Sequence, residues 1–227
     1  MTYDLALGDR AYSSWSLRGW LLFEKFGLPY RTHFARFYTD EFTDLMAKFE
    51  PAKTVPTMRA PDGVVVSDSL AIAEELATRH PDAGFWPTDP TARAVARGLA
   101  AEMHAGFFAL RNDCPMNLRV AYANFAPSDA VQADLRRLET IWAHAIDICK
   151  SDGPWLCGAY SVADAFFAPV AARIAGYGLS VNKMAQHYVD AHLSEPAFRK
   201  WREASLNDGP DQPKYAMNYD TRPWPGI

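Results

Sequence analysis

The chain changes texture once, near residue 80, and that change limits its fold more than any other feature. Up to Arg79, short strand-like runs alternate with amphipathic ones: Tyr3–Leu7, Ser14–Phe26, Tyr30–Phe34, Asp40–Phe49, Thr54–Met58, Val64–Ser67 and Asp68–Arg79. Apolar residues every second position mark strands, and a spacing of three to four marks helices. The order read from this is β-α-β-α-β-β-α. The first crossover implies a parallel strand pair, and the Pro61-Asp62-Gly63 turn implies an antiparallel hairpin. Residues 81–90, rich in Pro, Asp and Gly, read as a linker. Beyond them strand signals vanish. Helical spacing covers Thr91–Arg111, Ser128–Cys149, Ser161–Ala175, Val181–His192 and Glu195–Ser205. Ser161–Ala175 is almost wholly apolar, as a central buried helix would be, and Ser161…Asp164 fits a capping box at its start. The tail from Asp208 carries Pro210, Pro213, Pro223 and Pro225 and is expected to be irregular, packing through Tyr215, Tyr219 and Trp224. The expected organisation is an α/β unit over residues 1–80 and an all-helical unit over residues 91–227.

Composition narrows the classes of function. With 49% hydrophobic residues in 227, the chain has ample material for a core, so disorder is excluded. A net charge of -4, with no long basic run, argues against nucleic-acid binding. No apolar stretch approaches the length of a membrane span, and no signal peptide is visible, so no membrane partner is expected. Cys114, Cys149 and Cys157 are odd in number and match no zinc spacing. A reduced, cytoplasmic protein without a metal is therefore expected.

Three places could carry chemistry. Between the first strand and helix lies Tyr12-Ser13-Ser14-Trp15-Ser16-Leu17-Arg18, which puts hydroxyls and free amides at a helix N-terminus. One of these serines could simply cap the helix. One could instead donate to a thiolate and lower the thiol pKa. Val55-Pro56, after Thr54, is either an edge-strand proline or a cis peptide that turns the Val55 backbone toward a ligand. Asp68-Ser69, at the next helix start, is either a cap or a cradle for a carboxylate and an ammonium. Cys114 is either part of a cleft wall or a small buried hydrophobe.

In this order and context, the three motifs resemble those of the cytosolic glutathione transferases, specifically bacterial serine-type members close to the zeta and theta classes. The likeness runs nearly the whole length: Ser13-Ser14-Trp15-Ser16 with Arg18, Thr54-Val55-Pro56-Thr57, Ser67-Asp68-Ser69, and the Ser161…Asp164 box. It implies a thioredoxin-like N-terminal domain followed by a helical-bundle C-terminal domain. It further implies glutathione as co-substrate, a cis Pro56, a thiolate-stabilising Ser13 or Ser14, and a homodimer serving detoxification. Ser16, Arg18, Thr54, Val55, Pro56, Asp68 and Ser69 would bind glutathione. Trp15, Met103, Phe107, Arg111, Cys114 and Asn117 would face a small hydrophobic electrophile. Zeta members carry Cys where this chain has Trp15, which sets the alternative of a maleylacetoacetate isomerase-like activity against conjugation. A non-catalytic ligand- or partner-binding protein of the same fold is the remaining alternative.

Overall fold

A computed structural model describes residues 2–225. Its first part follows the expected order: β1 (Tyr3–Leu7), α1 (Ser14–Glu24), β2 (Tyr30–Phe34), α2 (Asp40–Ala47), β3 (Thr57–Arg59), β4 (Val65–Ser67) and α3 (Ser69–Arg79). The sheet order is β2-β1-β3-β4. β1 runs parallel to β2 with Leu5 opposite Thr32, and antiparallel to β3 with Leu5 opposite Met58. β3 and β4 form the antiparallel hairpin, Met58 facing Val66. This is a thioredoxin-like arrangement. The third strand starts at Thr57 rather than Thr54, since Pro56 has no N–H to give a ladder.

The second part holds α4 (Pro90–Ala105), α5 (Phe108–Asp113), α6 (Asp129–Cys149), α7 (Val162–Tyr177), α8 (Lys183–Ser194) and α9 (Pro196–Ser205). α7 is buried all round, as its composition requires, and the capping box at its start is formed. α1 packs on α3, α7 and α9, so one continuous apolar core joins the two parts.

Two further expectations needed correction. The run Thr91–Arg111 is not one helix. A Cβ on Gly106 would lie 2.8 Å from the Glu102 carbonyl oxygen, and Phe107 takes a left-handed φ of 57°, so the chain turns there and restarts as α5. The second part is also not purely helical. β5 (Ala121–Tyr122) pairs with β6 (Thr221–Arg222) in the tail. Strands of two residues are too short to show an alternation.

Gly19, in α1, lies directly against Pro56 of the loop before β3. A Cβ there would sit 2.4 Å from Pro56 Cβ and 2.6 Å from Pro56 Cγ. Gly98 in α4 has open space at the same point. Gly19→Ala is therefore expected to destabilise by about 1–3 kcal/mol through overpacking. Gly98→Ala should stabilise by up to about 1 kcal/mol through helix propensity. Thermal denaturation of both checks this, and equal melting shifts would refute it.

Among the described residues, no group of His, Cys, Asp and Glu could hold a metal ion, and no helix is long and apolar enough to cross a membrane.

Candidate functional site

A cleft of about 740 Å³ opens between loops and helix starts of the first part and residues of the second part, among them Arg111 and Arg173. Three chain starts converge on it, each with a local reason for its shape.

The first is the N-terminus of α1. Ser13 is its N-cap: Ser13 Oγ accepts from Ser16 N at 3.1 Å, satisfying an amide that the helix leaves free. The Ser13 and Ser16 hydroxyls lie 2.9 Å apart, and Ser16 Oγ also accepts from Gly8 N at 3.0 Å. Ser13 and Ser14 both line the cleft. Ser16 does not; it is fully buried beneath them.

The second is the loop 53–56. The Val55–Pro56 peptide is cis, and Lys53, Thr54, Val55 and Pro56 all line the cleft. The third is the start of α3. Asp68, at a positive φ of 78°, caps the helix, its Oδ1 accepting from Leu70 N at 2.8 Å and from Ala71 N at 3.3 Å. His104 Nε2 of α4 lies 3.3 Å from Asp68 Oδ2, tying the two halves together beside the cleft. Ser69 Oγ is buried and has no hydrogen-bond partner among the described residues. Two helix N-termini therefore point free donors and positive dipole ends into one cavity.

The far wall is cationic and aromatic. Trp15 is held between two guanidiniums, Arg18 at 4.8 Å and Arg111 at 5.0 Å from its ring centre, with the His104 ring at 5.3 Å. Arg18 is wholly buried and also lies over Phe166, and its Nε and Nη1 have no partner among the described residues. Burial, reinforced by Arg173 and Arg111, pushes its pKa well below the usual value, while Asp68 opposes this. Arg173 from α7 reaches the cleft and donates to the Cys114 carbonyl at 2.9 Å. Burial first, then the Arg111 charge, lowers its pKa to about 10. Burial also holds Arg111 below its ordinary value. Positive charge here is poorly solvated and has little carboxylate nearby to neutralise it.

Several expected positions lie elsewhere. Arg18 sits behind Trp15 rather than in the cleft. Met103, on the core face of α4, and Phe107, at the break after Gly106, are both buried in the core. Cys114 is buried, and burial pushes its thiol up to about 12, so it is a small core hydrophobe rather than a cleft wall. Asn117 braces its own turn, accepting from Arg119 N at 2.9 Å and donating to Tyr122 Oη at 3.2 Å. Of that group, Trp15 and Arg111 line the cleft.

Sequence reasoning missed Lys53, Arg173 and the aromatic rim of Tyr12, Phe37, Tyr38 and Tyr215. Tyr12 stacks on Tyr215 at 4.8 Å and donates to Asp211 at 3.0 Å. Burial raises its pKa to about 12. With its proton engaged by Asp211, Tyr12 is not available to donate to a ligand.

A four-stranded mixed sheet, a cis-proline turn and a helical second half together define the glutathione transferase fold. Residues 12–79 match the family model described as "Glutathione S-transferase, N-terminal domain". A probable maleylacetoacetate isomerase of Caenorhabditis elegans is 34% identical over 45% of this chain and 47% of its own length. The maleylacetoacetate isomerase of Pseudomonas aeruginosa is 26% identical over 70% of this chain and 76% of its own. The chain spans about half the length of the first curated relatives it matches. A crystal structure of a glutathione transferase homolog from Burkholderia, with bound glutathione, superposes with a TM-score of 0.69 at 21% identity. That match covers 91% of this chain and 100% of the other. Glutathione transferase Omega 3C from Trametes versicolor gives 0.65 at 20% identity, over 94% of this chain and 91% of its own.

Proposed function

We propose that the protein is a glutathione-dependent enzyme that stabilises the glutathione thiolate with serine hydroxyls at the start of α1 and adds it to an electrophile. The observation that carries this reading is the convergence of Ser13 and Ser14, the Val55 backbone and Asp68-Ser69 on one cleft. In this reading the cysteinyl backbone pairs with Val55. The γ-glutamyl carboxylate meets Ser69 at the start of α3, and its ammonium meets Asp68. Lys53 supplies a charge for the glycyl carboxylate. The sulfur then falls at the α1 N-terminus, where hydroxyl donation and the helix dipole favour the anion. Lowering a thiol pKa by two units corresponds to about 2.7 kcal/mol, which charge-assisted hydrogen bonds can supply. The thiolate attacks an electrophile seated against Trp15, Arg111 and Arg173. The family resemblance alone supports a cytoplasmic homodimer with a detoxifying role.

A second reading, a glutathione-dependent cis–trans isomerase, is favoured by Arg111 and Arg173 and by the activity named for the curated relatives. Two guanidiniums would hold a carboxylate-bearing, conjugated substrate. The thiolate would add to one alkene carbon, the adjoining bond would rotate, and the thiolate would leave, with no net reagent consumed. Trp15 offers no thiol for such a step, so glutathione would supply the only nucleophile.

Retention on immobilised glutathione, followed by assays with a chlorinated aromatic acceptor and with a cis-configured enone dicarboxylate, tests both readings. Ser13→Ala and Ser14→Ala are expected to leave retention intact, and at least one of them should lower turnover tenfold or more. Turnover unchanged in both variants would sink the serine mechanism. Retention without turnover of either acceptor would favour a binding protein.

A further inference from the structure

We infer that Ser16, which never reaches the cleft, is a positioning residue that acts through Ser13 by turning the Ser13 proton toward the bound sulfur. This rests on the glutathione reading above.

The inference comes from counting protons. A hydroxyl carries one proton and two acceptor positions, and its proton rotates to suit its neighbours. Ser16 is fully buried, and among the described residues its hydroxyl has two partners, Gly8 N at 3.0 Å and Ser13 Oγ at 2.9 Å. The Gly8 amide can only donate. If Ser13 also donated to Ser16, the Ser16 proton would be left in dry interior without an acceptor. A stranded buried donor is unfavourable. If Ser16 donates to Ser13 instead, every buried group is satisfied. Gly8 N–H gives to Ser16 Oγ, and Ser16 O–H gives to Ser13 Oγ. The Ser16 backbone N–H, 3.1 Å away, also gives to Ser13 Oγ.

Both acceptor positions of Ser13 are then filled from below. Its own proton has one direction left, the cleft that Ser13 lines. A hydroxyl that accepts two hydrogen bonds is a stronger donor, because linked bonds polarise one another. A thiolate gains more from such a donor than a thiol does, so the bound thiol pKa falls. The donor is also held in place before the ligand arrives, which avoids reorganisation during reaction. Ser14, one residue on, makes no side-chain hydrogen bond among the described residues and lacks this preparation.

The thiol pKa of bound glutathione, read from thiolate ultraviolet absorbance against pH, tests this when measured together with glutathione affinity. Ser16→Ala should raise that pKa by about one unit, a tenfold loss of thiolate below it, with affinity for S-methylglutathione unchanged. Ser13→Ala should raise it further, and Ser13→Ala/Ser16→Ala should match Ser13→Ala alone, since Ser16 works only through Ser13. Ser16→Cys keeps the shape and weakens the donor, so it should fall between wild type and Ser16→Ala, and it serves if the alanine variant does not fold. A wild-type thiol pKa in Ser16→Ala or Ser16→Cys, or additive shifts in the double variant, overturns the inference. If wild type binds glutathione without lowering its thiol pKa, the parent reading fails at that step and the relay fails with it.

Discussion

Asp164→Ala is expected to remove at least about 3 kcal/mol of stability. The carboxylate sits wholly buried at the start of α7 and accepts from four donors. Oδ2 takes Ser161 N at 2.8 Å and Ser161 Oγ at 3.1 Å, while Oδ1 takes Tyr188 Oη at 2.8 Å and Leu156 N at 3.3 Å. Burial pushes its pKa up, and the four hydrogen bonds pull against that. Alanine strands all four donors where water does not reach, and each stranded donor costs about 1–3 kcal/mol before relaxation. Against a typical total of about 5–15 kcal/mol, the loss threatens folding itself. The effect reaches the cleft, because α7 carries Phe166 beneath the Arg18–Trp15 stack and Arg173 to the far wall. Urea denaturation of wild type, Asp164→Ala and Asp164→Asn checks this. Asparagine keeps one acceptor and should fall between. A midpoint for the alanine variant within error of wild type would show that the box is not what holds α7.

The Asp164 box was legible because a capping box is a local pattern: its two members lie three residues apart, and the apolar run that follows confirms the register. The same holds for the α1 serines, the proline turn and the Asp68-Ser69 helix start, each a short motif between a strand and a helix. Their convergence was not local, and came instead from their order along an α/β unit. The far wall shows where such reading stops. Arg173 lies in a run whose apolar character announces burial, and nothing nearby marks it as reaching a cleft. Tyr215 arrives from a proline-rich tail more than two hundred residues after Tyr12, on which it stacks. The family resemblance placed Met103 and Phe107 on that wall, yet Met103 lies within α4, Phe107 sits at the break after Gly106, and both are buried in the core. The serine cluster is the middle case. Capping and chemistry looked like rival roles for Ser13, yet the cap bond from Ser16 N is one of the contacts that frees the Ser13 proton for the cleft.

Acidification is expected to destabilise this protein through one histidine beyond the general effect of protonating its carboxylates. His192, on α8, is almost fully buried, with Nε2 unpartnered among the described residues and its ring edge-on to Tyr188 at 4.5 Å and to Trp155 at 5.1 Å. Burial, with a smaller contribution from the Lys25 charge, lowers its pKa to about 3. An unfolded histidine titrates near 6.5. Between those values the unfolded chain binds a proton that the folded chain excludes, so protons favour unfolding. The stability is fully present above about pH 6.5 and drains as pH falls toward 3, at about 1.4 kcal/mol per unit. By pH 4.5 the loss attributable to this ring is about 2–3 kcal/mol. Other groups titrate over the same range, so the informative quantity is a double difference. Denaturation free energies of wild type and His192→Leu are measured at pH 7.5 and at pH 4.5. Leucine cannot take a proton, and the variant should lose about 2–3 kcal/mol less than wild type across that interval, whatever its stability at neutral pH. Equal losses in the two proteins would mean that the imidazole finds a way to charge inside the fold, and that the packing of Trp155, Tyr188 and His192 is looser than these distances describe.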